Sequence, residues 1–208
     1  MATHILNHPL IKHKLTIMRN KETKSYIFKH NLDEIALLMA YEATKDLPLK
    51  EVTIETPITK MTGHSLSKNI ILVPILRAGL GLLHGFTTII PMATVGHIGM
   101  ARNEETLQPE EYYAKFPNNI EDAIVIVLDP MLATGGSALA TIQNIKQRGA
   151  KEIRLVSVLG APEGLATIEK ECPDVTLYLG ALDDGLNEHG YIVPGLGDAG
   201  DRLFGTDI

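Results

Sequence analysis

Asp129 closes an apolar run, Ala123 to Leu128, and precedes a turn of small residues, Ala133-Thr134-Gly135-Gly136-Ser137. The run shows no period-2 alternation, so it reads as a strand buried on both faces of a parallel sheet. A helical pattern continues from the turn up to Gly149. Open amides at the start of that helix, helped by the Thr134 and Ser137 hydroxyls, suit an anion of phosphate size. A carboxylate at the carboxyl end of the strand can accept hydrogen bonds from ligand hydroxyls. Asp129 to Ser137 therefore predicts a site for a phosphorylated, hydroxylated small molecule.

A second strand end carries a different charge. Ile70 to Val73 form another buried strand, and the chain turns through Pro74-Ile75-Leu76-Arg77-Ala78-Gly79 into a helix. Arg77 offers five donors in a rigid fork, which matches phosphate or diphosphate oxygens. A third strand candidate, Ala93 to Ile98, leads to Arg102, Glu104 and Glu105. The polar, proline-punctuated stretch that follows, with Tyr112, Tyr113 and Phe116, is expected to form a flexible loop over the crevice at about 101–119.

The stretch from Leu182 onward alternates glycines with Asp183, Asp184, Asp198 and Asp201. Gly195 to Gly200 has GxGxxG spacing, but no buried strand runs into it, and no following helix or ribose-binding acid is expected. Bare glycine backbone can instead approach the edge of a small planar heterocycle, with Asp198 near the sugar.

The elements that must position these groups recur as strand, turn and helix. Asn31 to Tyr41 shows helical apolar spacing, Glu51 to Thr62 reads as short strands or a hairpin, and Ala138 to Arg148 is a helix stopped by Gly149. Ile153 to Leu159, Pro162 to Cys172 and Val175 to Leu179 continue as strand, helix and strand. The expected fold is α/β, a central mostly parallel sheet flanked by helices, in a single domain over residues 1–208 with a small C-terminal hood at about 182–208.

Composition narrows the classes further. A formal net charge of -6 argues against a general nucleic-acid binder. The apolar runs are too short for a membrane span, and the single cysteine, Cys172, fits a reducing cytoplasm. His4, His8 and His13 lack companions at metal-ligand spacing and read as structural.

Four blocks, HPLIKHKL, VPILRAGLG, RNEET and LDPMLATGGS, completed by GLNEHGYIVPGLGDAGDRLFGT, closely resemble the uracil phosphoribosyltransferases over nearly the whole chain. The resemblance implies a phosphoribosyltransferase-like fold and a cytoplasmic enzyme of pyrimidine salvage. Such an enzyme forms UMP and diphosphate from uracil and 5-phospho-α-D-ribose 1-diphosphate with Mg²⁺. It implies that Asp129, Arg77 and Arg102 are catalytic, the arginines as diphosphate contacts. Asp129, Pro130, Met131, Leu132, Ala133, Thr134, Gly135, Gly136 and Ser137 would bind the phosphoribosyl group, and Ile192, Gly197, Asp198 and Ala199 the uracil and adjoining sugar. No dedicated metal cage is implied: Mg²⁺ would be carried mainly by the diphosphate, with Asp198 a candidate ligand. GTP is a candidate activator, and a homodimer or larger homo-oligomer is expected, with no nucleic-acid or membrane partner. An ordinary carboxylate pKa near about 4 is expected of Asp129, which favours an orienting role over a general base. Ser25 to Lys29 departs from the more basic segment usual in the family. Two other classes, a related RNA-binding attenuation protein and a nucleotide-binding oxidoreductase, are disfavoured by the acidic balance and by the incomplete dinucleotide motif.

Overall fold

The computed structural model describes residues 2–102 and 109–206. In chain order the strands are β1 (Thr3–Ile5), β2 (Leu49–Glu55), β3 (Lys60–Leu66), β4 (Ile70–Leu76), β5 (Thr94–Val95), β6 (His97–Arg102) and β7 (Pro109–Lys115). They continue as β8 (Ile124–Leu128), β9 (Met131–Leu132), β10 (Glu152–Gly160), β11 (Thr176–Leu182), β12 (Gly185–Leu186) and β13 (Ile192–Val193). The helices are α1 (Pro9–Arg19), α2 (Ser25–Thr44), α3 (Leu80–Ile89), α4 (Gly136–Gln147), α5 (Pro162–Glu171) and α6 (Ala199–Phe204).

The main sheet runs β1-β11-β10-β8-β4-β6-β7, with β5 beside β4 and β9 beside β10. All its pairings are parallel except β6 with β7. Alternate residues of β4 and β8 enter opposite cores. Leu72, Ile124, Ile126 and Leu128 pack on one face with residues of α1, α2 and α3, while Ile71, Val73, Val125 and Val127 pack on the other with residues of α4 and α5. This three-layer burial is the physical reason for the continuous apolar runs in both strands.

From β4 the chain moves outward to β5 and β6, whereas from β8 it moves the other way to β10. The reversal falls between the adjacent carboxyl ends of β4 and β8, where a doubly wound sheet opens a ligand crevice. Helix α3 is drawn close to α2 at Gly85, where any Cβ would meet Ala36 Cβ and the Asp33 carbonyl. At the start of α1, the His8 side chain accepts from the Leu10 amide, and His4 stacks on Tyr178 at 5.0 Å, so both histidines serve the fold.

Three expectations are corrected. Part of the stretch assigned to a loop at about 101–119 is strand: Pro109–Lys115 pairs antiparallel with His97–Arg102. Tyr112 and Tyr113 are adjacent and both exposed, and the pairing is irregular between Gly99 and Met100, so the strand carries no clean alternation by which to read it. Glu104, Glu105 and the rest of 103–108 lie outside the described residues. The third strand candidate is split into β5 and β6 around Gly96. Finally, a short helix does open within the GxGxxG stretch and continue past it: Ala199–Phe204, capped by Asp198, whose carboxylate accepts from the Asp201 amide.

The hairpin β2–β3 forms a separate two-stranded sheet, as the Glu51 to Thr62 pattern predicts, and its Ile58 is 91% exposed. Ser25 to Lys29 opens α2, and none of these residues lines the crevice.

Candidate active site

The crevice has a volume of about 260 Å³. One wall is built by the end of β8 and the start of α4. Asp129 follows the last buried strand residue, and Gly135 adopts φ 84°, a left-handed conformation that turns the chain into α4. The Gly136 amide donates to Thr134 Oγ1 at 3.3 Å, while Leu139 donates to the Gly135 carbonyl at 2.8 Å as the first helical bond. The Ser137 and Ala138 amides that follow in the first turn of α4, with the Ser137 hydroxyl, remain for an anion. Ala133, Thr134, Gly135, Gly136 and Ser137 all line the crevice, as does Met131. Pro130 and Leu132 lie behind them. The Pro130 carbonyl accepts from Val158 and Leu159, and the Leu132 carbonyl accepts from Ala161, so these two anchor the turn to β10.

Asp129 is enclosed by protein apart from the edge it presents to the crevice. The Met131 amide donates to its Oδ1 at 3.4 Å, a weak bond. Burial away from water outweighs that bond and pushes the carboxyl up to about 7. The expectation of an ordinary carboxylate pKa is therefore corrected: among the described residues no cation reaches the carboxyl of the free site to hold it ionised.

The opposite wall is the turn from β4 into α3. The Leu76–Arg77 peptide is cis. Gly79 is required here because a Cβ would meet the backbone oxygens of Leu128 and Ile75. This close approach brings the β4 turn against the end of β8, so Arg77 and Asp129 share one crevice. Arg77 Nη2 donates to Asp201 Oδ1 at 2.6 Å, and Nη1 donates to Thr206 Oγ1 at 3.2 Å. Neither partner is deducible from spacing along the chain. Arg102 ends β6, and its side chain lies outside the described residues.

The third wall is the C-terminal hood. Strands β12 and β13 form a two-residue ladder, and Gly195 and Gly197 take φ 61° and 79°. Asp198 and Gly200 line the crevice. Gly197 opens with Asp198 on an adjoining cavity of about 420 Å³, which Arg19, Lys21 and Tyr191 also line. Ile192 and Ala199 are buried, and their side chains support the hood from behind. The hood is held by two arginines. Arg19 pairs with Asp183 and donates to the Gly195 carbonyl at 2.7 Å, while Arg202 donates to the carbonyls of Met18, Leu196 and Asn20. The structure thus gathers Asp129, the Ala133–Ser137 turn, Arg77 and Asp198 around one space. It adds Met100 and Gly200, which sequence reasoning missed.

Among the described residues no group of three His, Cys, Asp or Glu side chains could hold a metal ion. Two carboxylates, Asp129 and Asp198, do line the crevice. That sparse oxygen set fits Mg²⁺, which binds through one or two carboxylates together with substrate phosphates and keeps several waters. No helix among the described residues is long and apolar enough to cross a membrane.

Comparison with known proteins gives the family of the chain. The family model described as uracil phosphoribosyltransferase matches residues 5–206. A uracil phosphoribosyltransferase of Ureaplasma urealyticum is 58% identical over 203 residues, covering 97% of this chain and 98% of its own. One from Bacillus cereus is 54% identical over 204 residues, covering 98% of both chains. The solved structure of the AQ2163 protein from Aquifex aeolicus superposes with a TM-score of 0.92 at 41% identity, covering 97% of each chain. On its sequence and its architecture, the chain belongs to the uracil phosphoribosyltransferase family.

Proposed function

We propose that the crevice transfers the 5-phosphoribosyl group of 5-phospho-α-D-ribose 1-diphosphate to N1 of uracil, forming UMP and diphosphate. The observation that carries the reading is the convergence on one crevice of an amide cradle, a carboxylate at the strand end, and an arginine on the facing turn. These match, in order, the 5′-phosphate, the ribose hydroxyls and the diphosphate of such a donor.

In this reading the C1–O bond to diphosphate breaks while the N1–C1 bond to uracil forms, and the N1 proton passes to the departing diphosphate or to water. C1 gains positive character on the way. Thr134 to Ser137 hold the 5′-phosphate, which fixes the sugar for in-line approach of the base. Asp129 accepts from the ribose hydroxyls and, once ionised, places negative charge near C1. Arg77, with Arg102 from the end of β6, takes up charge on the departing diphosphate. Asp198 and the diphosphate oxygens would hold Mg²⁺, which supplies further neutralisation of the leaving group. No covalent nucleophile is required.

Base choice falls to the hood. Main-chain groups of Gly197 to Ala199, backed by Ile192, would pair with the uracil edge, where N3–H lies between two carbonyls. Cytosine presents an acceptor and an amino group there, and each mispaired buried group costs about 1–3 kcal/mol.

A homodimer or larger homo-oligomer is part of the proposal. It is supported by the exposed apolar residues Leu49, Ile54, Ile58 and Met61 on the β2–β3 hairpin. Activation by GTP rests on the family resemblance, and rates with and without GTP test it. The reaction itself is tested by following UMP formation at saturating donor and Mg²⁺. Product with uracil supports the reading; no product under any of these conditions contradicts it.

A further inference from the structure

We propose that Asp201 is a positioning residue for the transfer, holding the Arg77 guanidinium against the C-terminal helix so that its remaining donors meet the diphosphate. The inference rests on the reading of Arg77 as a diphosphate contact and names what orients it.

The geometry is a closed triangle. Arg77 Nη2 donates to Asp201 Oδ1 at 2.6 Å, Arg77 Nη1 donates to Thr206 Oγ1 at 3.2 Å, and that hydroxyl donates to the same Asp201 Oδ1 at 2.7 Å. The Asp201 main chain is itself anchored. Its amide donates to Asp198 Oδ1 at 2.9 Å, and its carbonyl accepts from the Gly205 amide at 2.7 Å, closing the helix end. The guanidinium also lies over the Gly200 backbone, where an added Cβ would stand 3.6 Å from Nη2, and 5.9 Å from the centre of the Phe204 ring. Hydrogen bonds from Thr206 and Arg77 lower the pKa of Asp201 and keep it ionised.

A guanidinium has five N–H donors. Two are occupied here, and the other three have no partner among the described residues. An arginine with four rotatable side-chain bonds loses less freedom on meeting its ligand when one edge is already pinned. The pair is half exposed, with 52% of the Arg77 side chain and 25% of that of Asp201 accessible. Pairs so open to water add little to fold stability. Orienting Arg77 and stabilising the fold therefore leave different marks.

The experiment is a double-mutant cycle of Arg77→Ala and Asp201→Asn, with donor and uracil varied separately and thermal melting recorded. The expected result is that Asp201→Asn raises the donor KM about tenfold, the scale of one charge-assisted hydrogen bond. It should leave the uracil KM and the melting temperature close to wild type, and add nothing further in the Arg77→Ala background. Asp201→Glu should recover part of the loss. Should Asp201→Asn fold poorly, Thr206→Val provides a second variant, expected to raise the donor KM less and also to be silent without Arg77. An equal effect in both backgrounds, or a parallel rise in both KM values with a lower melting temperature, overturns the inference while leaving Arg77 in place. If Arg77→Ala itself leaves the donor KM unchanged, the underlying assignment of Arg77 falls first.

Discussion

Asp183 and Arg19 form a forked ion pair, Nη1 to Oδ2 at 2.7 Å and Nη2 to Oδ1 at 2.5 Å, and through it the last residue of α1 controls the hood. Asp183 Oδ2 also accepts from the Gly195 amide at 2.9 Å, so one carboxylate joins a helix end to the turn entering the base-side loop. Bidentate geometry and the burial of Asp183, only 6% of whose side chain is accessible, give this pair more weight than an open surface ion pair. The glycines of the hood leave the loop free to adopt its shape, and the charged pairs select that shape.

Arg202 makes the matching link from the other side. It donates to three carbonyls and lies over Phe28 at 4.8 Å from the ring centre. Arg202→Ala should lower stability by about 2 kcal/mol, the scale of hydrogen bonds involving a charged group. It should also raise the uracil KM more than the donor KM. Denaturant unfolding and steady-state kinetics measure both, and a wild-type midpoint with unchanged uracil KM would contradict the link.

The raised pKa of Asp129 has a definite sign. The unfolded chain releases this proton near pH 4, whereas the free site keeps it to about 7. Between those values the folded state binds more protons, so this group's favourable contribution is complete below about pH 4 and is lost as pH rises to about 7. Asp129→Asn should flatten that part of the pH–stability curve and lower turnover. Ribose hydroxyls donating to Asp129 favour its ionised form, so donor binding near pH 7 should release a proton. Calorimetry in buffers of differing ionisation enthalpy reads this directly; identical observed heats across the buffers exclude it.

Arg77→Ala should raise the donor KM and reduce kcat/KM for the donor by about a hundredfold, the scale for losing one donor to developing negative charge. The uracil KM should change little. An effect confined to uracil would reverse the assignment of the two sides of the crevice.

Gly164 sits in α5, and a Cβ there would stand 2.5 Å from the Ala133 carbonyl oxygen and 2.8 Å from that of Leu132. Gly164→Ala must therefore push α5 away from the phosphate cradle. A loss of about 1–3 kcal/mol is expected for such overpacking. The donor KM should rise although the residue is remote from ligand, and a variant with wild-type melting and donor KM would show that the cradle does not depend on this contact.

How much of this was legible in the sequence follows from range. β4 and β8 were readable because parallel strands covered on both faces require continuous apolar runs, and the turns after them carried Arg77 and Asp129 in plain view. The core of α2 was readable from its period, although the helix extends beyond Asn31 to Tyr41 at both ends. β1 is not legible as a strand because a three-residue edge strand, two of its residues exposed, has no pattern of its own and is specified by pairing with β11. The partners Arg19 with Asp183, Arg77 with Asp201, and Arg202 with the Met18 carbonyl join segments far apart along the chain. No local pattern encodes them; the only trace was charge retained within a glycine-rich stretch. The shift at Asp129 was hidden for the same reason, since burial depends on the turns that enclose it.

The measurement that tests the central claim most directly is product formation from 5-phospho-α-D-ribose 1-diphosphate and Mg²⁺ with uracil, cytosine, orotate and hypoxanthine offered separately, with and without GTP. The account predicts UMP and diphosphate in equal amounts from uracil, and little or no nucleotide from the other three. Equal turnover of cytosine would contradict the edge pairing assigned to the hood, and no product from uracil would contradict the proposed reaction itself.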